Sequence, residues 1–166
     1  MRRPRRVQIG AVELGLLYLI MLFVPNFFWM KNQPRDYEKY VVNENKILQV
    51  LERAGEVLVS RFVLVFTDYN IKGISLWSIW FFASFFLMVL YECYWIRYFR
   101  SPKTMQDFYS SMLGIPVAGA TLPVCAFFLL AVYGKNPLLM AAAVLLGAGH
   151  IGIHLCHAVE MNKTGG

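Results

Sequence analysis

The stretch "ISLWSIWFFASFFLMVLY", Ile74 to Tyr91, carries no charged side chain. As a helix, a charge-free apolar run of about 18 residues is long enough to cross the hydrocarbon core of a bilayer. Leu14–Met30 and Phe108–Gly134 are equally free of charge. Of the 166 residues, 58% are hydrophobic and 16% are charged, against about 25% charged in ordinary soluble domains. A chain this short leaves much of its surface outside any core. So much apolar surface calls for a solvent other than water. The chain reads as an all-α membrane protein, one transmembrane helical domain over residues 1–166.

Working outward, five apolar segments stand at 7–30, 46–70, 75–96, 110–134 and 137–158. "YGKNP" (133–137) reads as a tight turn that makes the last two an antiparallel hairpin. The connector "KNQPRDYEKYVVNENK" (31–46) carries both charge signs and two tyrosines, and is expected to lie along the membrane surface. Segment two is ambiguous. At 3.6 residues per turn, Gln49, Glu52, Arg53, Glu56 and Ser60 fall on one side. Such a helix either lies on the interface or spans with its polar stripe turned into the bundle. The fold is therefore a bundle of five transmembrane helices, or four plus one interfacial helix.

The net charge of +6 does not point to nucleic acid, because the basic residues are dispersed around the apolar segments. In a five-span chain with its N-terminus outside, Lys31, Arg35, Lys39, Lys46, Arg97, Arg100, Lys103 and Lys163 face the cytoplasm. Arg2, Arg3, Arg5, Arg6, Lys72 and Lys135 face out. If segment two stays on the surface, the N-terminal arginines move inside. Both arrangements satisfy the positive-inside rule and place the C-terminus in the cytoplasm. The basic start "MRRPRR" is followed by a long apolar run ending in "VPNFFWMKN", so an uncleaved helix is expected rather than a signal peptide. The "NKT" triplet (162–164) would be on the wrong side for glycosylation. Cys93, Cys125 and Cys156 form no close pair and are expected to be small buried hydrophobes.

Candidate chemistry concentrates in "GHIGIHLCH" (149–157), which holds all three histidines. Steps of four and three put His150, His154 and His157 on one helical face with Ala143 and Gly147. Small residues mark close helix packing in membranes, so the face is expected to look into the bundle, with His157 left at the interface. His150 and His154, at i and i+4, can share a divalent metal. The glutamate of an HExxH motif is missing, since Ile151 and Gly152 follow His150. The carboxylate must then come from another helix, for example Glu92. Glu13, Glu52, Glu56 and Glu92 lie inside apolar segments. Charge at such depth is costly, so these groups pair, neutralise or line water. Arg97 is the expected partner of Glu92, and Arg53 of Glu56. Pro116 and Pro123 suggest a kinked, flexible wall in segment four, with Trp80 and Tyr91 as candidate pocket-lining aromatics.

With "VPNFFW", "NENKILQVLERAGEVLV", "YWIRYF" and "FYSSMLGIPVAGATLPVCAFFLL" laid out, the chain resembles a group of small bacterial membrane proteins of unassigned function. The resemblance covers nearly the whole chain and implies a multi-pass protein of the bacterial inner membrane. It brings no functional residues. In size and layout the chain is also similar to the translocator-protein class of porphyrin and sterol binders, without that family's tryptophan-proline motifs. Three functions follow as expectations. One is binding or translocation of a small molecule or ion in a cavity lined by Glu13, Glu52, Glu56, Glu92, His150 and His154. Another is a metal-dependent membrane enzyme using His150, His154 and a carboxylate. The third is an accessory subunit whose polar seam meets a membrane partner protein or a second copy.

Overall fold

The computed structural model describes residues 9–42, 44–66, 69 and 74–164, with side chains from Leu14 to Lys163. The arginines at 2, 3, 5 and 6, the side chain of Glu13 and Lys72 lie outside the described residues. Five long helices make up the body: α1 (Ile9–Met30), α3 (Lys46–Val65), α4 (Ile79–Arg100), α6 (Ala118–Tyr133) and α7 (Pro137–Thr164). Two short ones, α2 (Tyr37–Val41) and α5 (Met105–Phe108), sit in the connectors. The described residues hold no β-strand, only an isolated bridge between Met112 and Ile115.

Helix boundaries follow local chemistry. Asn45 caps α3, its side-chain oxygen accepting from the amides of Ile47 and Leu48. Asn136 accepts from Leu139 N at the start of α7, with Pro137 in the first-turn position that proline tolerates. Segment four differs from expectation. Residues 110–117 are not helical, and α6 begins only at Ala118. Leu113, Gly114 and Val117 adopt positive φ around a turn closed between Met112 and Ile115. Pro116 also disfavours helix at the residue before it. Pro123 alone lies inside the helix.

The long helices alternate in direction. Tyr18 meets Ser84, Asn26 meets Tyr91, and Tyr98 meets Asn32, so α1 and α4 run parallel. Ser84 donates to Ala126 O, while Gly119 lies against Tyr94, which makes α6 antiparallel to α4. Along α3 and α7, Gly55 abuts Leu146, Gly149 abuts Glu52, and Gly152 touches Leu48, again antiparallel. The core between them includes Tyr18, Met88, Phe127, Leu130 and Leu139, each fully or almost fully buried.

Segment two is thus part of the bundle. Its helix α3 packs along α7 and against α1, burying Gly55, Val59 and Val63. Two helical stretches, Leu76–Arg100 and Pro137–Lys163, are long and apolar enough to cross a membrane, and Leu14–Met30 and Ala118–Tyr133 are shorter apolar helices. The cysteines depart from expectation. Cys93 and Cys156 are exposed because they sit on outward helix faces, and Cys125 is half-buried.

Candidate functional site

The α3–α7 seam builds the site. A side chain at Gly149 would put its Cβ 2.2 Å from Glu52 N, and one at Gly55 would lie 2.4 Å from Leu146 Cα. Only the missing side chains let the two backbones approach this closely. That approach brings Glu52 on α3 level with His150 on α7, and His150 Nδ1 lies 2.5 Å from Glu52 Oε1. One turn on, the His154 ring meets the His150 ring edge to face, with centroids 4.6 Å apart. Glu52, His150 and His154 each offer a donor atom within 4.8 Å of the others, an arrangement that can hold a metal ion. Glu56, one turn further along α3, lines the same cavity.

That cavity measures about 300 Å³ and runs between α1, α3, α4, α6 and α7. Its polar end is Glu52, Glu56, His150 and His154. Its other walls are largely aromatic and apolar, including Trp29, Tyr91, Trp95, Phe108 and Phe127. Asn26 sets one wall by donating to Leu22 O and to Tyr91 OH. The indole N–H groups of Trp29 and Trp95 are buried; none of the described acceptors reaches that of Trp29, and that of Trp95 has the Tyr91 hydroxyl beside it without good alignment. Phe23 and Glu56 both line the cavity and are both exposed, so the cavity reaches the surface between α1 and α3. Higher up, Gly15 on α1 closes the same pair of helices tightly against Val63 O.

A second layer lies beneath the polar end. His157 is buried, not interfacial, at 2% exposure. Tyr109, from the loop after α5, places its hydroxyl 2.9 Å from His157 Nδ1 and 3.2 Å from His154 Nδ1. The far nitrogen of His157, Nε2, stands 3.2 Å from Glu44 Oε1, near in charge but not aligned for a hydrogen bond. Burial pushes the Tyr109 phenol well above its ordinary range, so it stays an O–H group. The loop itself is fixed. Tyr94 OH donates to Phe108 O, and Arg97 donates to Ser110 and Ser111. Phe108 stacks on Trp29, and Tyr37 packs edge-on against Trp29, Phe108 and His157. The polar connector is therefore folded in under the bundle end at Tyr37 rather than lying loose beside it.

Of the residues singled out from sequence, the structure brings together Glu52, Glu56, His150 and His154. Glu92 does not line the cavity. It sits on α4 with Oε1 buried and unbonded, and Arg97 serves the 110–111 loop instead of pairing with it. Tyr91 lines the cavity, whereas Trp80 stands outside it beside Trp77. Sequence reasoning missed Tyr109, Glu44, Trp29 and Trp95. Only the glycines at 55 and 149 signalled which carboxylate would reach the histidines. Comparison with family models, curated proteins and solved structures finds no match to this chain.

Proposed function

We propose that this chain is a small polytopic membrane protein that binds or moves a small molecule or ion in the cavity between its five long helices. The membrane reading is supported by the charge-free runs and by the outward faces of the helices. On α4, Phe82, Phe86, Val89 and Ile96 are 53%, 57%, 40% and 51% exposed, an apolar surface that water does not favour but lipid does. Alternating helix directions agree with five crossings. They also gather Lys31, Arg35, Lys39, Lys46, Arg97, Arg100, Lys103 and Lys163 at one end, with Lys135 at the other. By the positive-inside rule the first end, and with it the C-terminus, faces the cytoplasm. The localisation proposed is a bacterial inner membrane, on the strength of the resemblance alone.

The observation that carries the function is the pairing of opposite needs in one cavity. Glu52, Glu56, His150 and His154 supply charge and lone pairs at one end. Trp29 keeps a buried N–H donor without a protein acceptor, costing about 1–3 kcal/mol if left unmet, and the Trp95 N–H has only the Tyr91 hydroxyl beside it, poorly aligned. An occupant with an apolar body and hydrogen-bond acceptors satisfies both. The opening beside Phe23 and Glu56 gives it a lateral route from the bilayer.

Native mass spectrometry of the purified full chain, with organic extraction, tests this. A bound small molecule is expected on the wild type, and it should be lost from Glu52→Gln and from Trp95→Phe. If the wild type carries none, or if both variants retain it fully, the cavity is not a binding site.

A further inference from the structure

We infer that Glu52, His150 and His154 form a binding site for a divalent first-row metal ion of the zinc class, and that Glu44, His157 and Tyr109 set it up by fixing the tautomer of His154. The inference deepens the cavity reading by naming what occupies its polar end.

Tyr109 has one hydroxyl proton but touches two imidazole nitrogens, Nδ1 of His154 and Nδ1 of His157. It donates to one and must accept from the other. Two directions satisfy the geometry, and Glu44 selects between them. Its carboxylate lies 3.2 Å from His157 Nε2, out of line for a hydrogen bond, but its negative charge at that distance favours a proton over a lone pair on that nitrogen. A neutral His157 then has a bare Nδ1, which accepts from Tyr109 O–H. The Tyr109 oxygen in turn accepts from His154, so His154 carries its proton on Nδ1. The remaining nitrogen of His154, Nε2, is left as an unprotonated lone pair.

This is the state a metal-ligating histidine requires: a neutral ring whose second N–H is held by a hydrogen-bond acceptor. The opposite direction would set the lone pair of His157 against the Glu44 carboxylate and put a proton on His154 Nε2. His150 and Glu52 stand beside His154, and the three residues offer ligand atoms within 4.8 Å of one another. Two imidazoles and one carboxylate match the donor set of zinc sites that keep a fourth position open. All three residues line the cavity, so the open position faces the occupant. Charge also balances. One carboxylate leaves a divalent ion with a single excess charge, and Glu56 on the same cavity wall offsets it.

Titration of tag-free, metal-stripped full-length protein with Co²⁺ tests the inference. One equivalent is expected to bind with the intense visible absorption of a four-coordinate site. His154→Ala and Glu52→Gln should abolish it, with helical circular dichroism and a monodisperse elution profile showing that both fold. Tyr109→Phe should weaken binding about 10–100-fold, the usual effect of losing an outer-shell partner. Nitrogen-15 NMR of the metal-free protein reads the tautomers directly. His154 should appear protonated on Nδ1 and His157 on Nε2, and Glu44→Gln should disturb that assignment.

The inference is overturned if the wild type binds no stoichiometric Co²⁺, if His154→Ala binds it unchanged, or if His154 is protonated on Nε2. It fails separately from the cavity reading. A wild type that keeps its small molecule but takes no Co²⁺ refutes the metal site alone. Co²⁺ binding that survives Trp29→Phe/Trp95→Phe, after the small molecule is gone, upholds the metal site alone.

Discussion

Substituting Gly149 by alanine tests the packing on which the site depends, and the sign of the effect is informative. In an open helix interior, Gly→Ala stabilises by about 1 kcal/mol through helix propensity. At Gly149 the new methyl meets Glu52 N at 2.2 Å, Glu52 Cα at 2.7 Å and Leu48 O at 2.7 Å. Ordinary contact begins at 3.4 Å, and all three atoms are backbone, so no rotamer change relieves the clash. α3 must move away by about 1 Å, and with three backbone atoms in the clash the overpacking cost falls in the upper part of the usual range, about 2–3 kcal/mol. The net effect is destabilisation of about 1–2 kcal/mol, which for a chain of this size lowers the melting temperature by about 2–8 °C. Gly152→Ala is the internal control. Its methyl meets only the flexible Leu48 side chain, at 3.3 Å, so the propensity gain should leave it neutral or slightly stabilised. Thermal unfolding of the detergent-purified variants, followed by circular dichroism, compares the two. A Gly149→Ala protein that melts at or above the wild type would refute the close α3–α7 seam, and with it the placement of Glu52 against His150.

Three further expectations follow from particular bonds. Ser84 is fully buried, donates to Ala126 O at 2.6 Å and lies 2.9 Å from Tyr18 OH. Ser84→Ala should cost about 0.5–1.7 kcal/mol, the range seen for hydrogen bonds between membrane helices. A Tyr18→Phe/Ser84→Ala double variant should lose less than the sum of the singles. Asn136→Ala removes the α7 cap and a side-chain bond to Tyr69, for about 1–2 kcal/mol in chemical unfolding, whereas Asn136→Asp should keep most of the cap. The Asp107 carboxyl is held below its ordinary range, chiefly by the backbone N–H of Thr104 and also by the Thr104 hydroxyl. Its folded-state value is the depressed one, so its stabilising effect is full above the unfolded value near pH 3.9 and is lost as pH falls through the folded value. The gap between wild type and Asp107→Asn in melting temperature should be constant at neutral pH and close under strongly acidic conditions. A gap that widens on acidification would contradict the capping geometry.

Most of the architecture was legible because it rests on one-dimensional signals. Charge-free runs mark the apolar helices, and "YGKNP" marks the turn between α6 and α7. Segment four was drawn too long because hydropathy does not register backbone strain. Met112–Val117 is apolar, yet positive φ at Leu113, Gly114 and Val117 makes it a turn. The polar end of the cavity was half legible. Spacing aligned His150 with His154, but spacing says nothing about which neighbouring helix supplies a carboxylate. Glu92 was the carboxylate expected there, and the glycine contacts that fix α3 against α7 supply Glu52 instead. His157 was assigned to the interface because it lies near the chain's end. The 31–46 connector was read as surface, although its Tyr37 packs on His157, and Tyr109 from the loop after α5 reaches the same ring. Tyr109 carries no local signature, since a tyrosine in a loop has no period to betray its partner.

The placement of Tyr109 explains why so short a connector is so heavily fastened. A hydroxyl that orders two imidazoles must hold its position to within a hydrogen bond's tolerance, and a loop left free would spend its time elsewhere. Between α4 and α6 the chain is pinned at successive points. Lys103 donates to Asn32, Thr104 and Asp107 bond reciprocally, Tyr94 holds Phe108 O, and Arg97 clasps Ser110 and Ser111. Three of these four anchors reach outside the loop, two to α4 and one to Asn32 just beyond the end of α1. The aromatic stack of Trp29, Tyr37 and Phe108 fills the space between the loop and α7. The connector therefore acts as a rigid base for the cavity's polar end, and the histidine face of α7 is completed by residues from three other parts of the chain: Glu52 from α3, Glu44 from the residues just before it, and Tyr109 from this loop.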